Sequence, residues 1–190
     1  MKKSLVLAGL LAIGSTAAMA DIYVGVDYGA NANTQKASGA FTDSRSNKYG
    51  DFSFKVGGGT DGDWKSQLRI SSISYDKPTF DSTHKTLIEF GGDIIKEFTI
   101  DSVKNLYPYV KVGLGVGSMS VDGYNQSSIT EVSYKAGVGV SYKAIKHVYI
   151  IGGVDYVGRK WQDIQINIAG DTVSITDGGA QPYIGVNYAF

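Results

Sequence analysis

The sequence contains no cysteine and almost no excess of charge. The absence of cysteine excludes a disulfide framework, a thiolate metal site and a lipid anchor on an N-terminal cysteine. Eighteen basic residues balance eighteen acidic ones, so the chain lacks the basic footprint of a nucleic-acid-binding protein. Long hydrophobic runs are also absent after residue 20, where the longest lies around Val148–Val154. Because a membrane-spanning helix needs about 20 apolar residues, this part of the chain cannot cross a membrane as helices.

The first twenty residues, MKKSLVLAGLLAIGSTAAMA, have the features of a secretory signal peptide. Lys2 and Lys3 precede an apolar stretch over 5–13, and Ala18-Met19-Ala20 matches an A-x-A cleavage site. We therefore predict a signal peptide over 1–20 and an exported mature chain over 21–190. With the two lysines removed, the mature chain has 18 − 2 = 16 basic and 18 acidic residues.

Apolar residues alternate with small or polar residues through most of the mature chain, as in the closing stretch QPYIGVNYAF. This period of two is typical of strands that present one apolar face. The pattern predicts strands over 22–28, 52–56, 64–75, 88–94, 108–116, 132–142, 148–156 and 181–190. In the third segment Ile73 and Tyr75 are out of phase with Leu68 and Ile70, which predicts a bulge or a membrane exit near Ser71-Ser72.

The segments between the strands alternate between long and short. Four long loops are predicted over 31–48, 76–83, 118–129 and 158–180. Long loops at one end and short turns at the other are typical of barrels with long extracellular loops and short periplasmic turns. The sequence therefore predicts an all-β fold, an eight-stranded antiparallel up-and-down transmembrane β-barrel over 21–190. Only a closed barrel satisfies every strand edge in lipid.

Alternation alone does not decide which face of the strands points outward. A soluble barrel keeps its apolar face inside and its charges outside. Here the polar face is crowded with glycine, and the predicted loops are rich in charge. These features favour an apolar face that meets lipid and a polar face that lines a narrow lumen.

Charged residues on the predicted inward face lie at similar heights in the barrel. They are Asp27, Arg69, Glu89, Lys111, Lys135 and Asp155. Strand adjacency predicts one group of Arg69, Glu89 and Lys111 and a second of Lys135 with Asp155, with Asp27 nearer the second group. Eight strands enclose a lumen only wide enough for side chains, so we expect a plugged interior. An ion path lined by these residues is the alternative.

Three stretches carry a resemblance to a known family: YPYVKVGLGVG (107–117), YKAGVGVSYKAIKHVYI (134–150) and YIGVNYAF (183–190). Together they resemble the small eight-stranded outer-membrane barrels, the OmpA-like and OmpX/Ail-like proteins. The resemblance implies an outer-membrane location in a Gram-negative bacterium, contact with outer-membrane lipid and lipopolysaccharide, and a monomeric state. It also implies that Tyr183, Tyr188 and Phe190 form a signal for the barrel-assembly machinery.

The resemblance leaves the biological role open. Members of this family include adhesins, serum-resistance factors and lipid-modifying enzymes. We expect a structural or surface-contact role through the long loops, including binding of a host or cell-surface ligand. A small porin-like diffusion channel and a lipid A-modifying enzyme are the alternatives. Within the last long loop, 165–175 alternates around a Gly-Asp turn and predicts a protruding hairpin.

Candidate catalytic and metal-binding motifs are weak. Asp81, Ser82 and His84 have the residue types of a Ser-His-acid site, but they fall in a uniformly polar loop. Asp61 and Asp63 lack the later glutamate of a calcium loop, and GLGVG (113–117) lies in a strand without a following helix. We therefore expect no enzymatic activity, no catalytic residues, no metal site and no cofactor.

Overall fold

The computed structural model describes residues 21–39, 42–80, 83–122, 127–165 and 172–190. Its strands are β1 Asp21–Gly39, β2 Asp43–Gly59, β3 Trp64–Tyr75, β4 Thr86–Glu97, β5 Leu106–Ser120, β6 Ser128–Ile145, β7 Val148–Trp161, β8 Ile164–Gln165 and β9 Thr172–Ala189. Each long strand pairs antiparallel with its neighbours, and pairing of β1 with β9 closes the ring. The predicted eight-stranded fold is confirmed, since β8 is only a two-residue extension beside β9.

No helix long and apolar enough to cross a membrane occurs among the described residues. The predicted signal peptide over 1–20 lies outside them.

The strand register shows how strongly the barrel is tilted. One row of paired residues runs around the ring through Val26, Phe54, Ile70, Phe90, Val116, Val132, Lys160 and Thr176, and arrives at Lys36. The row therefore returns to β1 ten residues beyond its start, 36 − 26 = 10. This stagger corresponds to the strand tilt of about 35–45° that closed barrels require. Side chains that share a row therefore lie at different heights.

The strands extend well beyond their predicted ends. The predicted loop over 31–48 is mostly hairpin, because β1 runs to Gly39 and β2 begins at Asp43. The loops predicted over 118–129 and 158–180 are likewise shortened by β5, β6, β7 and β9. Polar residues ended the apolar alternation in the sequence, but the ladder between β1 and β2 continues through them without a break. The ladder between β1 and β9 stops after Gly29 and resumes at Thr34 in the same register.

Of the bulge and the membrane exit predicted as alternatives near Ser71-Ser72, the bulge is wrong. The ladders of β3 with β2 and β4 pass through these serines without a register shift. Ile73 and Tyr75 instead point into the barrel, where both are buried. A register shift does occur between Lys143 and Ile145, at the β6–β7 turn.

The outer surface carries an apolar belt. Even-numbered strand residues point outward, and those in the middle of the strands are exposed valine, isoleucine, leucine and phenylalanine. Tyr28, Tyr134 and Tyr156 border this belt on one side, and Trp64, Tyr142 and Tyr188 on the other. Aromatic girdles of this kind mark the two interfaces of a membrane. The apolar face therefore points outward, as predicted.

We call the end of the barrel that holds Asp21 and Phe190 the terminal end, and the opposite end the distal end. The three tyrosines of the distal girdle cover outward glycines on neighbouring strands. A Cβ at Gly158 would collide with the Tyr134 ring, and one at Gly50 would collide with the Tyr28 hydroxyl. Beyond this girdle most outward strand residues are serine, threonine and lysine. The wall of the barrel therefore continues past the membrane at the distal end.

Candidate functional site

All six charged residues predicted to line the lumen lie on the inward face, and five of them are buried outright. The predicted pair of Arg69 and Glu89 is in contact. The other predicted groupings are wrong. Lys111 Nζ lies 2.8 Å from Asp155, and Lys135 Nζ lies 3.3 Å from Asp51. These partners sit on non-adjacent strands, because side chains in a narrow lumen meet across it as well as along the wall.

Asp27 also has a different partner from the one predicted. Its carboxylate lies 2.6 Å from Lys55 on the neighbouring strand β2. Lys55 lies on the same polar face of its strand as Ser53, so the alternation alone could have identified it as an inward charge. Asp93 was likewise visible on the polar face of the fourth segment, and it lies 3.4 Å from Arg69.

Arg159 is a charged lumen residue that sequence reasoning missed, because it lies in the loop predicted over 158–180. Its side chain is fully buried. Nε is 3.2 Å from Glu89, and Nη1 lies 2.8 Å from the Tyr49 hydroxyl and 3.7 Å from Asp177. The guanidinium also stacks 4.9 Å from the centre of the Tyr49 ring. Glu89 therefore lies between two guanidinium groups, those of Arg69 and Arg159.

We call this set of inward charges the lumen network. Its members are Asp27, Asp51, Lys55, Arg69, Glu89, Asp93, Lys111, Lys135, Asp155, Arg159 and Asp177. Unpaired charges would be costly in so narrow a space, whereas a paired and hydrogen-bonded set holds the interior in one arrangement. Gln181 supports it by donating to Asp51 at 3.0 Å.

Glu131 is a buried carboxyl group just beyond the lumen network. It is 2% exposed, and neither of its oxygens has a hydrogen-bond partner among the described residues. It lies beyond the Tyr134 girdle and therefore outside the membrane belt. Burial and the neighbouring carboxylates Glu89 and Asp177 raise the pKa of Glu131, and Arg159 offsets only part of this effect. The Glu131 carboxyl group therefore keeps its proton to a higher pH in the folded barrel than in the unfolded chain.

The raised pKa of Glu131 gives a testable pH dependence. In the unfolded chain a glutamate loses its proton near pH 4.3. Folding stability should therefore fall as pH rises from that value towards the raised pKa of Glu131, because the unfolded state binds fewer protons. We expect Glu131→Gln to remove this part of the decline in urea-unfolding experiments in micelles. Parallel stability–pH curves for the two proteins would contradict the assignment.

The interior changes character at the distal end. Here the inward residues form an apolar cluster, the distal core: Tyr49, Ile73, Tyr75, Leu87, Met119, Val121, Ile129, Trp161 and Ile164. Trp161 donates from Nε1 to Asp177 at 2.9 Å, which joins the distal core to the lumen network. Inside the membrane belt the barrel is apolar outside and charged inside. Beyond it the outward residues are mostly polar, as expected for a wall surrounded by water, and the interior holds the distal core together with buried Asn33, Gln35 and Asn47.

Residues 76–80, which we call the lid, fold over the distal core. Phe80 packs edge-on against Trp161 with ring centres 4.8 Å apart. Asn47 accepts from the Lys77 amide at 3.1 Å and donates to the Lys77 carbonyl at 2.9 Å. Arg45 donates to the Thr79 carbonyl at 2.5 Å. This part of the loop predicted over 76–83 is therefore held against the barrel mouth.

The terminal end is closed by the turn between β2 and β3. The Asp61 carboxylate accepts from Lys65 at 3.0 Å, from Lys143 at 2.9 Å and from the Tyr149 hydroxyl at 2.8 Å. Burial opposes ionisation, but these hydrogen bonds lower the pKa of the Asp61 carboxyl. A cavity lies behind this turn, lined by Tyr23, Tyr109 and other residues of the lower lumen.

Comparison with known proteins identifies the fold family. The family model described as "Outer membrane protein beta-barrel domain" matches residues 5–190. The chain belongs to this family. It therefore lies in the outer membrane of a Gram-negative bacterium. No protein of curated function matches the sequence.

Solved outer-membrane proteins share this fold. Neisserial surface protein A is 20% identical, with a TM-score of 0.55 over 89% of this chain and 97% of that chain. OprH of Pseudomonas aeruginosa is 18% identical, with a TM-score of 0.56 over 90% and 100%. OprG of the same organism is 10% identical, with a TM-score of 0.55 over 90% and 96%. At these identities the similarity establishes the fold alone.

The three residues predicted to form the assembly signal of this outer-membrane barrel point in two directions. Tyr188 and Phe190 are exposed on the terminal girdle, with ring centres 5.3 Å apart. Tyr183 points inward, and its hydroxyl lies 2.5 Å from that of Tyr109. Its odd position in the alternation already placed it on the lumen face. Recognition of Tyr188 and Phe190 by the assembly machinery stays a prediction.

The structure does not test the Ser-His-acid candidate of this outer-membrane barrel. Asp81 and Ser82 lie outside the described residues, and His84 Nδ1 is 3.1 Å from Thr83 and 3.8 Å from Asp122. Within the same residues, no group of three or more metal-ligating side chains is found. The Asp61 carboxylate already accepts hydrogen bonds from Lys65 and Lys143, so it is not available to bind a cation.

The predicted protruding hairpin falls partly outside the described residues, which stop at 165 and resume at 172. Where the structure describes it, Ile164 and Gln165 pair with Val173 and Thr172. The other edge of β9 pairs with β1 up to Gly39. Val173 and Thr176 of β9 are therefore paired on both sides.

Proposed function

We propose that this protein is a closed, monomeric outer-membrane barrel that acts through its distal end at the cell surface. Its contribution is to envelope integrity or to contact with a host or cell-surface ligand. It is inserted by the barrel-assembly machinery and surrounded by outer-membrane lipid, including lipopolysaccharide. The proposal assigns it no catalytic role.

The observation that carries this proposal is the obstruction of the lumen at three levels. The Asp61 turn covers the terminal mouth. The lumen network fills the level of the membrane with cross-lumen pairs such as Lys111–Asp155 and Lys135–Asp51. The distal core and the lid close the distal mouth. A diffusion channel would need all three obstructions to move.

Planar-bilayer conductance of the refolded barrel tests the obstruction. We expect no stable open level from the wild-type protein, because moving the lumen network would separate paired charges in a narrow space. Heat-modifiable mobility of the same sample should show that the barrel is folded. A reproducible open level in the wild type would favour the porin-like alternative.

The orientation rests on the asymmetry of the two ends. The distal wall continues past its girdle with polar outward residues, whereas the terminal strands end close to Trp64 and Tyr188. Outer-membrane barrels place their longer segments outside the cell and their short turns in the periplasm. We therefore place the lid and the distal core on the extracellular side.

Single-cysteine labelling of intact cells tests this orientation. The chain has no native cysteine, so an introduced thiol is the sole target on the protein. Ser174→Cys on the distal wall should react with a membrane-impermeant maleimide in intact cells. The matched variant Lys104→Cys, in the exposed β4–β5 connection at the terminal end, should react only after the outer membrane is permeabilised. The reverse pattern would invert the orientation.

A further inference from the structure

The seam where β1 and β9 close the barrel is interrupted at the level of the distal girdle. The ladder between these strands stops after Gly29 and resumes at Thr34 in the same register. Residues 30–33 of β1 and 179–182 of β9 are all described, and none of them pairs across the seam. Because the register does not shift, this gap is not a bulge. Two separate ladders therefore hold the seam, one on the terminal side of the gap and one on its distal side.

Pro182 and Gly178 give the gap a cause in the sequence. Alternate residues of an antiparallel strand bond to opposite neighbours, and Phe190 of β9 donates its N–H to the Ile22 carbonyl on β1. An even count back from Phe190 places the backbone nitrogens of Pro182 and Gly178 on the β1 side as well. Pro182 has no N–H to donate. The Gly178 N–H donates to the Asn33 side chain at 2.9 Å. The seam therefore lacks one backbone donor, and a side chain engages a second.

The distal girdle is weakest at the same place. Its three tyrosines each cover a glycine on the next strand around the ring, Tyr134 on β7, Tyr156 on β9 and Tyr28 on β2. The outward residues of β9 at this level, all of them described, are Gly178, Ala180 and Pro182. β9 therefore has no tyrosine that covers β1, and only small side chains meet across the gap.

Beyond the gap, β1 and β2 continue as a two-stranded extension that we call the distal hairpin. It consists of residues 34–39 and 43–48, which pair with each other. On one side it meets β9. On the other side the ladder between β2 and β3 ends at the pair Tyr49–Tyr75, so the distal hairpin meets the lid there and not a strand.

The lid is bonded to the distal hairpin. The Asp76 N–H donates to the Lys48 carbonyl at 2.9 Å, and the Gln35 side chain donates to the Thr79 hydroxyl at 3.3 Å. The bonds from Arg45 and Asn47 to the lid, described above, come from the same hairpin. The lid therefore has its polar contacts on the distal hairpin, whereas Phe80 reaches across the mouth to Trp161 on β7.

We propose that the distal hairpin and the lid open together at the β1–β9 seam, as one flap, while the ring on the terminal side of the gap stays closed. Residues 30–33 are the hinge, since they lack partners on β9. Opening separates Phe80 from Trp161 and uncovers the distal core. Local openings of this kind occur where few contacts hold a segment. The inference goes beyond the proposed function, because it identifies a moving part, and it does not require the lumen network to move.

Residue-resolved amide exchange of the mature barrel in micelles tests whether the flap moves as a unit. By the alternation that places Ile22 against β9, the amides of Lys36 and Ser38 face the seam, whereas those of Gln35 and Ala37 face β2. A flap breaks the first set and keeps the second. We therefore expect Lys36 and Ser38 to exchange at least about tenfold faster than Gln35 and Ala37. Equal rates in the two sets would mean fraying of β1 and would overturn the flap.

A reversible cross-link locates the opening. Ser38→Cys/Ser174→Cys places two outward thiols on a paired position of the distal seam, and a short bifunctional methanethiosulfonate joins them. Cross-linking should slow the Lys36 amide to the rate of its β2-facing neighbours, and dithiothreitol should restore the original rate. The matched control Val26→Cys/Val186→Cys cross-links the same seam on the terminal side of the gap and should leave Lys36 unchanged. No slowing by the distal cross-link would rule out an opening at this seam.

Proline replacement tests the cause of the gap. Ile129→Cys places the only thiol of the chain in the distal core, where Ile129 is fully buried, so a maleimide reaches it through the flap. Adding Pro182→Val supplies the missing donor and should slow labelling by about two- to tenfold, as expected for one hydrogen bond. The control Pro108→Val changes a proline of β5, away from the gap, and should leave the labelling rate unchanged. Equal labelling rates in the two folded proline variants would contradict the proposal. All arms use purified barrel, so they do not depend on the orientation proposed above.

Discussion

Glu89→Ala is expected to lower the free energy of unfolding by about 3–5 kcal/mol, the range measured when one partner of a buried ion pair is removed. Glu89 is fully buried between Arg69 and Arg159, and both guanidinium groups would remain inside the barrel without its charge. Asp93 and Asp177 would still partner these arginines at longer distances. Equilibrium urea unfolding in detergent micelles measures the change.

A matched control for Glu89→Ala is Asp63→Ala. Asp63 also forms an ion pair, with Lys96 at 2.5 Å, but its side chain is largely exposed on the turn at the terminal end. Exposed ion pairs contribute little to stability. We therefore expect the unfolding midpoint of Asp63→Ala to stay close to that of the wild type. Equal losses in the two variants would mean that the lumen network does not stabilise the barrel more than a surface pair.

Trp161→Ala is expected to cost about 3–5 kcal/mol, the usual loss when a buried tryptophan is truncated in a packed core. The ring is 1% exposed, packs against Phe80 of the lid, and donates to Asp177 at 2.9 Å. Its loss would open the distal core and leave the lid without its main apolar contact. Trp161→Phe keeps most of the packing and removes the hydrogen bond, so we expect it to lose less stability.

Tryptophan fluorescence provides a second measurement of the same region. The chain has only two tryptophans, so Trp161 is the sole indole in a Trp64→Phe background. In that background we expect blue-shifted emission, because Trp161 is buried, and a red shift when Phe80→Ala removes the lid contact. Emission typical of a water-exposed indole without the Phe80 substitution would contradict a closed distal mouth.

An ion pair between two strands that follow each other in the sequence could be predicted from the sequence, whereas an ion pair across the lumen could not. Arg69 and Glu89 lie on adjacent strands, and their pairing was predicted correctly. Lys135 pairs with Asp51 on the far side of the ring. Such partners depend on the stagger of ten residues and on the lumen diameter. Neither quantity can be read from alternation.

Each strand passes from lipid into water along its length, and this change of surroundings also limited the prediction of which residues point inward. Ile73 and Tyr75 looked out of phase because an apolar residue was taken to point outward. They keep the same inward parity as Arg69, but they lie beyond the membrane, where an apolar side chain gains by pointing inward. Arg159 and Asp177 were missed for a related reason, since polar residues beyond the belt were assigned to a loop instead of a continuing strand.

Alternation and connector length in the sequence were enough to predict eight strands, a closed barrel and the inward parity of the six charges first assigned to the lumen. The alternation does not depend on how the strands are staggered, because neighbouring side chains on a strand must point to opposite faces. Only the tertiary structure decided which charges meet, where the outward residues become mostly polar, and that residues 76–80 close the distal mouth. Those features arise from distances across the lumen and from the height of each residue relative to the membrane. Both are set by the tilt of the assembled strands and not by any one segment.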